Sequence, residues 1–102
     1  MSDSIINTDN APDPVGAYPH ARRVGNLLFL SGVGSRTPQT NEIPGGPIVD
    51  ENDKPLEYDV AAQTEQVVAN IKAVLAASGL TLNDVVDVTA CAVVLVCCVA
   101  SV

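Results

Sequence analysis

The strongest constraint on this chain is the segment 59–79, DVAAQTEQVVANIKAVLAASG. Val60, Thr64, Val67, Val68, Ile71, Val74 and Leu75 recur at helical spacing, while Gln63, Glu65, Gln66, Asn70 and Lys72 occupy the other face. Asp59 is suited to accept from the orphan amides of the first turn, and Gly79 to take the left-handed conformation that closes a helix. The flanking segments are β-type, so one face of this helix must cover a sheet.

Ser4–Thr8 is a short β-type run that stops at a dense set of turn formers: Asp9, Asn10, Pro12, Asp13 and Pro14. Ala17–Val24 reads as a strand in which Pro19, lacking an amide hydrogen, suits an edge or a bulge. Gly25-Asn26 has the chemistry of a tight hairpin, so Leu27–Val33 returns as a buried strand. From Gly34 to Tyr58 the chain holds four prolines and three glycines and has no sustained period. That long loop is either a surface excursion or a substrate gate, and Gly45-Gly46 within it is a turn. After a turn at Leu80–Asn83, Asp84–Thr89 begins a strand that sets Asp87 and Thr89 opposite Val86 and Val88. The remainder, ACAVVLVCCVASV, is apolar almost throughout. Uncharged residues run for fifteen positions, Val88 to Val102, short of the roughly twenty that span a bilayer. Valine dominates, so the first half of this run reads as a strand covered on both faces rather than as a membrane anchor, and its last few residues have no clear element.

With 102 residues the chain is a single domain, 1–102, with 90–102 as an atypical apolar tail. The hydrophobic fraction is 47% but includes only two Tyr, one Phe and no Trp, so the core must be aliphatic. A formal charge of −7 repels a phosphate backbone, and no nucleic-acid partner is expected. The N-terminus lacks the basic start and apolar stretch of a secretory signal, which makes the cytoplasm the default location. Cys91, Cys97 and Cys98 are an odd, clustered set far from His20, the only histidine. They read as small buried hydrophobes rather than a disulfide framework or a metal site, and no cofactor is called for.

The order of these elements is the beginning of an α+β layer with helices on one sheet face. GAYPHARRVGNLLFLSGVGSRTP and YDVAAQTEQVVANIKAVLAASGLTLNDVVDVT together resemble the Rid family of reactive intermediate deaminases, also called YjgF-like. Tyr-Pro-His-Ala-Arg at 18–22 and Ile43-Pro-Gly-Gly resemble its 2-aminomuconate deaminase branch. The resemblance covers about Ser4 to Thr89 and implies a chorismate-mutase-like sheet covered by helices, assembled as a homotrimer with clefts between subunits. It also implies hydrolytic deamination of an enamine or imine carboxylate, a small-molecule partner, with water attacking the imine carbon and ammonia leaving.

By position, Tyr18 matches the family's cleft tyrosine, Ser31 the serine at a strand end, and Gly32 the glycine whose backbone approaches the ligand. A hydroxyl and an exposed amide orient a carboxylate or amino group without adding charge. His20 is either a base near neutral pH, a branch-specific substrate contact or a solvated strand residue. Arg36 either grips a carboxylate or is simply exposed in its loop. Ser31 lacks the GxSxG setting of a hydrolase nucleophile. The family's catalytic arginine and glutamate lie on later strands, whereas here no Arg follows Arg36 and no Glu follows Glu65. The catalytic residues are therefore unassigned, and the fold is expected to be incomplete at the C-terminus, with an unpaired edge and an uncovered apolar face. Two functions stay open: a deaminase of the 2-aminomuconate type, or a catalytically inactive truncated member or interaction subunit of a Rid-type trimer.

Overall fold

Asp59 caps the helix as its chemistry predicts. Its side chain accepts from the Ala62 amide at 3.1 Å, and α1 runs Val60–Ala77. At the other end Leu80 N–H donates to Leu75 O at 2.9 Å and Gly79 N–H to Ala76 O at 3.0 Å, with Gly79 at φ +76°. This pair of bonds is a Schellman closure, which satisfies carbonyls the helix leaves orphaned.

The computed structural model describes residues 4–14, 16–44, 51–52, 54, 59–91 and 95–101. Around α1 lie β1 (Ser4–Ile6), β2 (Ala21–Val24), β3 (Leu27–Leu30), β4 (Val85–Cys91) and β5 (Leu95–Ser101). They form one sheet in the order β1-β2-β3-β5-β4, and every neighbouring pair is antiparallel. β2 and β3 are joined by Gly25-Asn26, with Val24 opposite Leu27. Only Gly25 has a positive φ, +60°, which makes this a II′-type hairpin.

Four expectations are corrected. The first arm of the hairpin starts at Ala21 rather than Ala17, because Pro19 has no amide for the ladder and the chain around it bends. The second arm is not one continuous buried strand through Val33. β3 spans Leu27–Leu30, with Leu28 and Leu30 inward and Leu27 and Phe29 exposed, while Val33 is buried in the core at an isolated bridge beyond it. The tail does have an element: Leu95–Ser101 is β5, in the interior of the sheet, pairing Leu28 with Ala100 on one side and Val88 with Cys98 on the other. Asp84, read as the start of a strand, instead ends the 3-10 turn Leu82–Asp84, where its carboxylate accepts from the Thr81 amide.

The core lies between α1 and one sheet face. Val67, Ile71, Val74 and Leu75 meet Ala21, Leu28, Leu30, Cys98 and Ala100. Cys98 is buried in this core, while the side chains of Cys91 and Cys97 and the Gly45-Gly46 turn lie outside the described residues. A helix is roughly 10 Å across and five strands at about 4.8 Å spacing are more than twice as wide. One helix cannot cover such a sheet. Val88 shares a face with Cys98 by register, yet it is 56% exposed on the outer strand where Cys98 is 4% exposed. The opposite sheet face carries Ile5, Val24, Leu27 and Phe29, all exposed.

Leu28, 1% exposed under α1, tests this arrangement. Leu28→Ala is expected to lower unfolding stability by about 3 kcal/mol, read as a lower urea midpoint at unchanged slope.

Candidate functional site

β3 ends at Leu30, and the next residue, Ser31, still lies opposite His20 in the β2-β3 register. Ser31 N–H donates to His20 O at 3.0 Å, and Ser31 Oγ donates to Pro19 O at 2.7 Å. Pro19 supplies an acceptor but no donor, so a hydroxyl is what its carbonyl needs at this strand end. The chain then leaves the sheet through Gly32 and Val33 and crosses toward α1.

There, Asn70 takes over. Its side-chain amide donates to Gly34 O at 2.9 Å and to Arg36 O at 2.8 Å, while its Oδ1 accepts from Gln66 Nε2 at 2.9 Å. Asn70 is 1% exposed. The residue sits on the inward stripe Gln63, Val67, Asn70, Ile71, Val74 and Leu75. The expected helix face is thus rotated: Gln63 and Asn70 turn in, while Val60 and Val68 turn out. For Asn70 the reason is a demand for hydrogen bonds. Loop carbonyls packed against a helix need buried donors, which valine cannot provide.

The segments 11–14, 18–20 and 31–36 enclose a cavity of about 150 Å³ above Val74. All five candidates from the sequence, Tyr18, His20, Ser31, Gly32 and Arg36, line it. Among the described lining residues Arg36 is the one cation and Asp13 the one carboxylate. Gly32 places no Cβ at the wall, leaving its backbone open to a ligand.

Each side chain has a distinct constraint. His20 is not a solvated strand residue but is buried, 8% exposed. Its Nε2 contacts Pro12 O at 2.7 Å and its Nδ1 accepts from Thr8 N–H at 3.2 Å. A carbonyl only accepts and an amide N–H only donates, so the ring is the neutral tautomer with its proton on Nε2. Both nitrogens are occupied; the ring serves as a brace tying the 8–12 turn to β2, and its lone pair is not free for base catalysis. Arg36 is half-buried rather than simply exposed. Its guanidinium donates to Asp13 O at 2.6 Å and Asn41 Oδ1 at 3.0 Å. Both are neutral oxygens, so the charge stays available for an anion. Asn41 holds its side chain there from a left-handed conformation, φ +60°, which asparagine tolerates better than most residues. Tyr18 is 42% exposed, and its amide donates to Gly16 O at 3.0 Å. A β-carbon at Gly16 would stand 2.9 Å from Tyr18 Cε2. Only glycine allows this close approach of ring to backbone.

Among the described residues no group of three or more His, Cys, Asp or Glu is placed to hold a metal ion, and no helix is long and apolar enough to cross a membrane.

An antiparallel sheet with one helix on one face and a small cleft at the end of the central hairpin defines an α+β protein of the Rid architecture. The family model for Endoribonuclease L-PSP matches residues 8–93, and the chain belongs to this family, the Rid, YjgF-like or RutC group. A RutC family protein of Pyrococcus horikoshii is 45% identical over 85 residues, covering 83% of this chain and 58% of the relative. The 2-iminobutanoate/2-iminopropanoate deaminase of Dermatophagoides farinae is 42% identical over 82% of this chain and 56% of its own length. The chain therefore spans somewhat more than half the length of these curated relatives. Among solved structures, a putative endoribonuclease from Thermotoga maritima superposes with a TM-score of 0.78 at 25% identity, covering 100% of this chain and 98% of that one. RidA from an Antarctic Psychrobacter superposes with a TM-score of 0.72 at 28% identity, over 97% of this chain and 99% of that one.

Two substitutions probe the walls. His20→Phe removes both ring bonds and strands the Pro12 carbonyl; a loss on the order of 2–3 kcal/mol is expected in urea unfolding. Gly16→Ala is expected to displace the Tyr18 ring, read as a changed chemical shift and faster flipping of that ring by NMR, with little change in unfolding midpoint.

Proposed function

We propose that this chain binds a small enamine or imine carboxylate in the 150 Å³ cleft and promotes its hydrolysis to a keto acid and ammonia. The observation that carries the reading is the single cleft containing Tyr18, Ser31, Gly32 and a half-buried, uncompensated Arg36. Arg36 binds the substrate carboxylate, since a guanidinium with neutral partners retains donors for a charge-assisted pair. Ser31 Oγ, whose proton is committed to Pro19 O, presents lone pairs that accept from the substrate nitrogen. Tyr18 covers the plane of the unsaturated chain. Water attacks the imine carbon, the nitrogen takes protons and leaves as ammonia. Asp13, the carboxylate on this cleft, is the group that would accept the proton of the water. His20 contributes by holding the 8–12 turn as the outer wall.

The deaminase relative from Dermatophagoides farinae acts on imino acids, as its name states, and this supports a short imino acid as substrate. 2-Aminomuconate, which the 18–22 segment suggests, is the longer and doubly charged candidate. The cytoplasm is the proposed location, and no nucleic acid is proposed as substrate.

A second reading rests on the exposed apolar face of Ile5, Leu27 and Phe29. Such a face favours burial against further copies, and we propose a homotrimer; in this reading the chain serves as a non-catalytic interaction subunit. Ammonia release separates the two. Folded protein mixed with freshly generated 2-iminobutanoate or 2-aminomuconate should accelerate ammonia release over buffer, with the shorter substrate preferred. Arg36→Leu should raise KM at least tenfold. A folded chain with no acceleration on either substrate leaves the subunit reading.

A further inference from the structure

Arg36 is held at both ends, and the two anchors come from different parts of the fold. Its guanidinium is fixed by Asp13 O and Asn41 Oδ1. Its backbone is fixed by Asn70, a buried residue thirty-four positions later on α1. Both amide hydrogens of Asn70 enter the same loop, one to Gly34 O and one to Arg36 O. Those two carbonyls allow only one orientation of the Asn70 amide, because the flipped form would aim its oxygen at two acceptors, and Gln66 Nε2 then donates to Asn70 Oδ1.

We infer that Asn70, its Oδ1 held by Gln66, is the positioning residue that preorganises Arg36 for a substrate carboxylate. The inference rests on the carboxylate role proposed for Arg36. Three observations support it beyond ordinary packing. The stripe of α1 facing the core is otherwise mainly apolar, and a buried amide there is costly unless each of its groups is paired. The Asn70 side chain is paired on all three counts. Its donors go to the residue carrying the one cation of the cleft and to the residue two before it, so they set the direction in which that side chain leaves the backbone. The guanidinium in turn keeps two neutral partners that fix its plane without neutralising it. A bidentate carboxylate pair depends on that plane, and misplacement by about 1 Å is enough to weaken such a site by a large factor.

The test uses the full chain and two probes of the same shape: 2-oxobutanoate, the stable ketone product of imine hydrolysis, and its neutral amide, 2-oxobutanamide. Asn70→Asp keeps the shape and removes both donors. The expected result is about a tenfold weaker Kd for the acid, no change for the amide, and no further loss when the substitution is made in Arg36→Leu protein. In ligand-free protein the Arg36 Nε–H resonance should move toward that of the exposed Arg22. Equal weakening of acid and amide, or an additive loss in the Arg36→Leu background, overturns the inference, since a merely structural role predicts either. If Asn70→Asp does not fold, Gln66→Leu replaces it, with a smaller acid-only loss and a smaller resonance shift expected. An unmoved resonance overturns the inference whether or not the acid binds. If wild-type protein does not bind the acid while the resonance still depends on Asn70, the carboxylate reading of Arg36 fails and the positioning stands.

Discussion

The whole structure depends on α1 being packed against the β2-β3-β5 part of a sheet wider than the helix. That contact supplies the core through Leu28, Leu75, Val74 and Ala100, and the same contact leaves two surfaces unfinished. At the outer strand Val86 and Val88 face solvent, and on the reverse of the sheet Ile5, Leu27 and Phe29 do so. Hydrophobic burial is proportional to the area removed from water. Much of this sheet's apolar area gains nothing from the fold of one chain.

The cleft is a consequence of the same contact. Because β3 leaves the sheet after Leu30, its continuation must pass between the sheet and α1, where unpaired carbonyls are expensive. Asn70 resolves this with two donors, and the loop so fixed carries Arg36 to the mouth of the cavity. On the other wall, His20 performs the matching task for the 8–12 turn with both ring nitrogens. The two buried polar residues that look most like chemistry in isolation are thus supports. Tyr18, Ser31, Gly32 and Arg36 line the same cavity.

Much of this was legible beforehand. Asp59 and Gly79 carry local capping chemistry that needs no tertiary partner, and both ends of α1 formed where they indicate. Gly25-Asn26 likewise fixed the hairpin, since a positive φ is a property of the residue itself. The helix face was misjudged at Asn70 and Gln63, because a polarity count treats a buried amide as a surface residue. The pattern i, i+4, i+7, i+8 and i+11 through Gln63, Val67, Asn70, Ile71 and Val74 was present in the letters. Nothing local says that a loop from another part of the chain will need two donors there. Similarly, the apolar run after Thr89 has no internal period, so its division into the end of β4 and a separate β5 had no local signal.

The sequence by itself determined the elements with local causes: the capped helix, the glycine hairpin, the brief first strand and the family to which the residues from Tyr18 to Thr89 point. It also named five of the residues that line the cleft. Only the tertiary structure decided which of them are free. His20 became a brace, Arg36 became a fixed and uncompensated cation, and Asn70 became the link between helix and cleft. The physical reason is that hydrogen-bond partners at separations of twelve to thirty-six residues are set by packing, and packing is not written in any local stretch of the chain.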